Sequence, residues 1–263
     1  MLARMKRPSA KWLWLLPVLL FAGAFFDHPS ARSSDWRSAS RGPVGLAPDP
    51  AGTAEAVIQV YAARAVRWRG YFGVHTWVAV KPQGAPAYTV YEVNGWRLRR
   101  TGSSVVASDR PPDSRWFGSA PTLIAERRGA GVHEMTARIE AAVRSYPYAD
   151  TYRVWPGPNS NTFTAHVLRA VPELKADLPP TAIGKDYLGS GLVAKTPSGT
   201  GFQLSLFGVL GLLAGFEEGL ELNVLGLTLG IDPRQLALKL PLVGSVGWRT
   251  ECEAVSAACG AVP

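Results

Sequence analysis

Ser160, His75, Glu92 and Asn94 are the residues whose types and spacing could do chemistry. A hydroxyl is a poor nucleophile at neutral pH. An imidazole within hydrogen-bond reach can take its proton, and a carboxylate or amide can orient that imidazole. Ser160 lies in WPGPNSN (Trp155 to Asn161), just ahead of apolar residues at helical spacing, so it is expected to open a helix. There the macrodipole and free backbone N–H groups stabilise a developing anion and supply part of an oxyanion hole. Each residue also has a plainer explanation. Asn159, Ser160 and Asn161 are all favoured helix caps. His75 among Val, Thr and Trp fits a half-buried, hydrogen-bonded histidine, and Glu92 fits an outward-facing strand carboxylate.

The elements that must position these residues follow from periodicity. AVIQVYA (Ala56 to Ala62), GVHTWVAV (Gly73 to Val80) and AYTVYEV (Ala87 to Val93) read as three strands, the last two joined by the Lys81 to Pro86 loop. Side chains alternate along a strand, so Glu92 and Asn94 share a face and either can reach His75 on the neighbouring strand. Arg110 to Pro121 is irregular. Met135, Ile139, Ala142, Val143 and Tyr146 then recur at helical spacing, and Pro147 stops that helix. A second helix carries a stripe of Phe163, Val167, Leu168 and Val171, with Ser160 at its start.

Several common chemistries are excluded. No Walker loop, GxGxxG, HExxH or GxSxG motif occurs, and no cofactor is indicated. Cys252 and Cys259 lack two further ligands for zinc and are read as an optional disulfide, so no metal is expected. His133 and His166 border helices, and Lys185 with Asp186 reads as an ion pair in a loop. Trp77, Trp96, Trp116 and Trp155 read as core or site-wall residues.

The formal charge of +8 suggests nucleic acid, but its distribution argues otherwise. Arg4, Lys6, Arg7 and Lys11 precede a 15-residue uncharged run, Trp12 to Phe26; the rest holds 24 basic and 20 acidic residues without a long basic run. The basic start and apolar run read as a signal or membrane anchor, with the remainder outside the cytoplasm. The run falls between a signal-peptide core and a full span, so cleavage and retention both stay open. Residues 27–52 read as a flexible linker, 53–245 as the folded domain and 246–263 as a tail. Gly201 to Ile231 is apolar, carries seven glycines and reads as a long β-hairpin turning at Glu217-Glu218-Gly219, able to pack on the domain or lie against lipid. No internal repeat stands out.

HTWVAVK, YEVNGWRLRR, WPGPNSNTF and TAIGKDYLG, together with GFQLSLFG and EEGLELNVLGL, resemble an uncharacterised bacterial family over about Ala56 to Gly244. More loosely, His on one strand, a polar residue on the next and Asn-Ser-x-x-Phe opening a helix resembles the circularly permuted papain-like superfamily, which includes the lecithin retinol acyltransferase-like proteins. That pattern normally has Cys where this chain has Ser160. The resemblance implies an α+β, permuted papain-like domain with an antiparallel sheet. Its lead function would be acyl transfer or amide hydrolysis at the cell envelope, with Ser160 attacking, His75 as base, and Glu92 or Asn94 orienting it. The rivals are a non-catalytic cleft for a peptide, glycan or lipid moiety, and a membrane-associated interaction module built on the apolar hairpin.

Overall fold

The computed structural model describes residues 37–247. The expected anchor, Cys252 and Cys259 lie outside the described residues. The architecture is α+β, with two antiparallel sheets and three α-helices among the described residues. No helix among the described residues is long and apolar enough to cross a membrane.

The first sheet contains β1 (Val57–Arg64), β2 (Val74–Lys81), β3 (Thr89–Val93), β4 (Val105–Ser108) and β5 (Thr122–Arg128), ordered β4-β3-β2-β1-β5. Both faces of the central strands are covered, and the two-residue alternation divides their side chains cleanly. Ile58, Val60, Val78, Val80 and Val93 meet the buried stripes of α2 (Val132–Arg144) and α3 (Ser160–Ala170). Between the two helices, Tyr146 meets Phe163 edge-on at 5.1 Å.

Val57, Tyr61, Trp77, Ala79 and Val90 face the other way, under Trp116 and Leu123. The irregular segment around Pro111 to Ser119 forms much of this lid. Trp77 Nε1 donates to Pro112 O at 2.7 Å, and buried Asp113 accepts the backbone N–H groups of Val44 and Leu46 at 3.2 and 2.7 Å. The Tyr88 hydroxyl also donates to Pro48 O. Residues 43–48 are therefore docked on the domain, which corrects the linker expectation for that stretch.

The second sheet is a seven-strand meander, β6 (Val193–Lys195), β7 (Gly201–Leu206), β8 (Leu210–Gly215), β9 (Gly219–Val224), β10 (Leu227–Asp232), β11 (Ala237–Leu240) and β12 (Gly244–Gly247). The single hairpin expected over Gly201 to Ile231 is instead four strands, β7 to β10. Strands β7, β8 and β9 begin nine residues apart, six in the strand and three in the turn, a period too short and too glycine-varied to stand out as a repeat.

The polarity of this sheet is inverted. Its inner face carries buried Gln203, Ser205, Glu221, Asn223, Thr228 and Lys239. Its outer face is a lattice of exposed aliphatic rows: the register aligns Leu204, Leu212, Leu222 and Leu229 across four strands, and Leu206, Leu210, Val224 and Leu227 beside them.

The inner face is polar because it packs on a charged loop. Glu221 is held between Lys185 Nζ and Lys239 Nζ, each at 2.7 Å, and Lys239 also reaches Asp177 at 2.6 Å. Asn223 Nδ2 donates to Asp186 at 2.9 Å. Lys185 and Asp186 thus pair with the second sheet, a correction to the local ion pair expected from their adjacency. Burial opposes ionisation of Glu221, but the two ammonium groups outweigh it and hold the carboxyl below its ordinary range.

Candidate functional site

The start of α3 is fixed by its own polar residues. Asn159 is the cap: its side-chain oxygen accepts from Asn161 N and Thr162 N, and Thr162 Oγ1 accepts from Asn159 N, completing a capping box. Ser160 is the first helical residue, with no capping hydrogen bond of its own. Asn159 Nδ2 and Asn161 Nδ2 both donate to Ile183 O, and Thr162 Oγ1 donates to Gly184 O at 2.7 Å. Gly184 has φ +94°, and a Cβ there would lie 2.4 Å from Asn159 Nδ2, so only glycine fits. The NSNT and TAIGKD strings are therefore one hydrogen-bonded clamp.

Strand β2 joins this clamp through Thr76. Its hydroxyl donates to Asn161 Oδ1 at 3.0 Å and lies 2.9 Å from Thr164 Oγ1, while Asn161 Nδ2 donates to Val74 O. Since Thr76 points at α3, alternation sends His75 to the opposite face with Trp77. There the imidazole stacks on Trp116 with ring centroids 3.7 Å apart and planes within 5°. His75 Nε2 is 2.8 Å from Glu92 Oε2, which Arg110 also approaches at 3.4 Å. No hydrogen bond joins His75 to Ser160 among the described residues.

Burial pulls the His75 imidazole below the usual histidine range, against the opposing pull of Glu92. Burial would raise Glu92, but His75 and Arg110 outweigh it and keep this carboxyl low. At neutral pH the pair is a neutral imidazole donating Nε2–H to a carboxylate. Asn94 takes no part: its side chain accepts from Arg97 N at 2.8 Å as the cap of α1 (Gly95–Thr101).

His75 and Ser160 nonetheless line one cavity of about 690 Å³ at the end of the first sheet. Its walls include Trp68, Trp96, Trp116, Trp155, Phe72 and Tyr152, and Asn159, Ser160 and Asn161 lie together on its polar side. Trp155 is fixed to the second sheet by donating Nε1–H to Leu225 O at 2.9 Å. Arg69, also in the lining, rests over the Trp68 ring at 4.9 Å. Trp68, Phe72 and Arg69 were not singled out from the sequence; they lie on and beside a five-residue 3₁₀ turn, Arg67–Tyr71, too short to give a periodic signal. No cluster of potential metal ligands is present among the described residues.

The fold is thus a mixed helix and antiparallel-sheet domain with an aromatic-walled cavity at a helix N-terminus. Residues 55–187 match a family model described as a protein of unknown function, DUF3750, and the chain belongs to that family. The match covers the first sheet, the helices and the clamp, and ends before the second sheet. No curated protein and no solved structure matches the chain.

Proposed function

We propose that this is a non-catalytic binding domain of the cell envelope whose cavity takes an amphiphilic ligand. The observation that carries this reading is that β2 presents Thr76 rather than His75 to the start of α3. Threonine cannot serve as a general base at neutral pH, and the His75 Nε2 is committed to Glu92. What remains is a cavity with aromatic walls and a few convergent polar groups, the usual make-up of a ligand site. An apolar body would lie between the tryptophans. Its polar or anionic head would meet the N-terminus of α3, with Arg69 in the same lining. The envelope location rests on the basic start followed by the uncharged Trp12 to Phe26 run.

A second reading, a serine variant of the permuted papain-like hydrolases and acyltransferases, draws on one observation. Asn159 performs the capping, so Ser160 is not explained as a cap, and it shares the cavity with His75. Reaction would require the imidazole to leave Glu92 and turn around the strand end.

The test is titration of the full chain with dansyl-undecanoic acid, an anionic amphiphile. Saturable binding weakened by Trp96→Ala and by Arg69→Ala, and unchanged by Leu222→Asp on the second sheet, supports a cavity ligand. Binding that ignores Trp96 and Arg69 removes this reading.

A further inference from the structure

The outer face of the second sheet is apolar and exposed. Over β7 to β10 every outward side chain is aliphatic or aromatic, while the inward positions carry Gln203, Glu221 and Asn223. An ordinary antiparallel sheet at a protein surface shows the reverse, apolar inside and polar out. A protein partner is a poor match for such a face. Protein interfaces carry roughly one hydrogen bond per 100–200 Å² and a polar rim, and these four strands offer no outward polar side chain at all.

We propose that this face inserts into one leaflet of a lipid bilayer. The inference is independent of what fills the cavity. Three observations favour lipid. First, the turns at one end of the sheet are apolar and expose Phe207, Leu225 and Val243, whereas at the opposite end exposed Phe216 and Leu236 stand beside the paired charges of Glu217 and Arg234. The ion pair marks the headgroup end, and the uncharged turns the deep end. Second, six-residue strands are about 20 Å long. A membrane-crossing strand needs ~9–11 residues at a tilt of about 45°, and at that tilt these strands reach about 14 Å deep, one leaflet of a ~30 Å hydrocarbon core. Third, only thirteen residues separate Phe26 from Ser40, whose carbonyl accepts from Gly118 N on the domain, a reach of at most about 47 Å. An anchor at Trp12 to Phe26 would therefore hold the domain at the membrane surface. The deep end also bears Leu225 and Trp155, which line the cavity, so its mouth would open at the leaflet.

The experiment uses the full chain with Cys252→Ser and Cys259→Ser in vesicles of phosphatidylethanolamine and phosphatidylglycerol. A nitroxide is attached to Leu222→Cys or, separately, Leu229→Cys, with Arg138→Cys on α2 as the solvent reference. Both leucines are exposed, so labelling leaves the core intact, and the second site guards against local misfolding at the first. The readout is collision with oxygen, which concentrates in lipid, against a water-soluble nickel chelate. Leaflet insertion predicts an oxygen-to-nickel ratio several-fold above that of the Arg138 site at both leucines. A ratio equal to the reference overturns the proposal. So does shielding from both reagents: with spin–spin coupling that grows with protein density it would mean a second copy, and without it a segment of the same chain.

Discussion

Thr76 Oγ1 donates to Asn161 Oδ1 at 3.0 Å, and this bond fixes which face of β2 looks at α3. Every assignment at the cavity depends on it. With Thr76 turned to the helix, the next side chain toward the strand start, His75, has to leave by the other face and finds Glu92 and Trp116 instead of Ser160.

Thr76→Val keeps the shape and removes the hydroxyl, leaving buried Asn161 Oδ1 without its donor. An unsatisfied buried polar atom costs about 1–3 kcal/mol. For a domain of this size that lowers the melting temperature by ~2–4 °C per kcal/mol, readable by circular dichroism. An unchanged melting temperature would mean that the hydroxyl is not engaged.

The His75 and Glu92 pair makes stability depend on pH in one direction. Both groups have lowered values in the fold, so the unfolded chain binds more protons as pH falls. Their contribution is complete above the ordinary histidine value of about 6.5 and is lost as the solution is acidified below it. Nuclear magnetic resonance titration of His75 is expected to give a midpoint below the free value. Glu92→Gln removes the carboxylate that raises it and should push the midpoint lower still.

Gly184→Ala places a Cβ against Asn159 in a backbone conformation unfavourable to alanine. The cap of α3 must move, so the loss exceeds the ~1 kcal/mol typical of one helix cap. Gly84→Ala also has positive φ but open space around it, and is expected to cost less in the same denaturant titration.

Glu221→Gln leaves two buried ammonium groups, Lys185 and Lys239, short of a counter-charge. Breaking a buried ion network from one side costs about 3–5 kcal/mol. The second sheet should loosen first, which hydrogen exchange of the β9 amides against those of β1 would report. Since the folded carboxyl sits below its ordinary value, the same contribution is present above the unfolded carboxylate range and is lost as pH falls through it.

The legible parts of this fold are those with strong local patterns. Strands β1, β2 and β3 and helix α2 follow from β-branched runs and the Met135, Ile139, Ala142 spacing, because local propensity and burial agree there. Strand β5, TLIAERR, was not legible: only its partner β1 makes it a strand, and its charged end obscures the alternation. Candidate roles depended on faces, and a one-residue alternation decided them. The sequence places His75 on β2, but only the bond from Thr76 to α3 says which of the two adjacent side chains meets Ser160. Similarly, seven glycines in Gly201 to Ile231 suggested turns and bulges, but the number of strands depends on pairing between distant segments.

The central claim, a cleft that binds without catalysis, is tested most directly by a fluorophosphonate probe for activated serines, applied to the full chain with Ser160→Ala and His75→Ala in parallel. No labelling of Ser160 is expected across the neutral pH range. Labelling of the native chain that both substitutions abolish, with folding intact, would contradict it and establish a serine nucleophile.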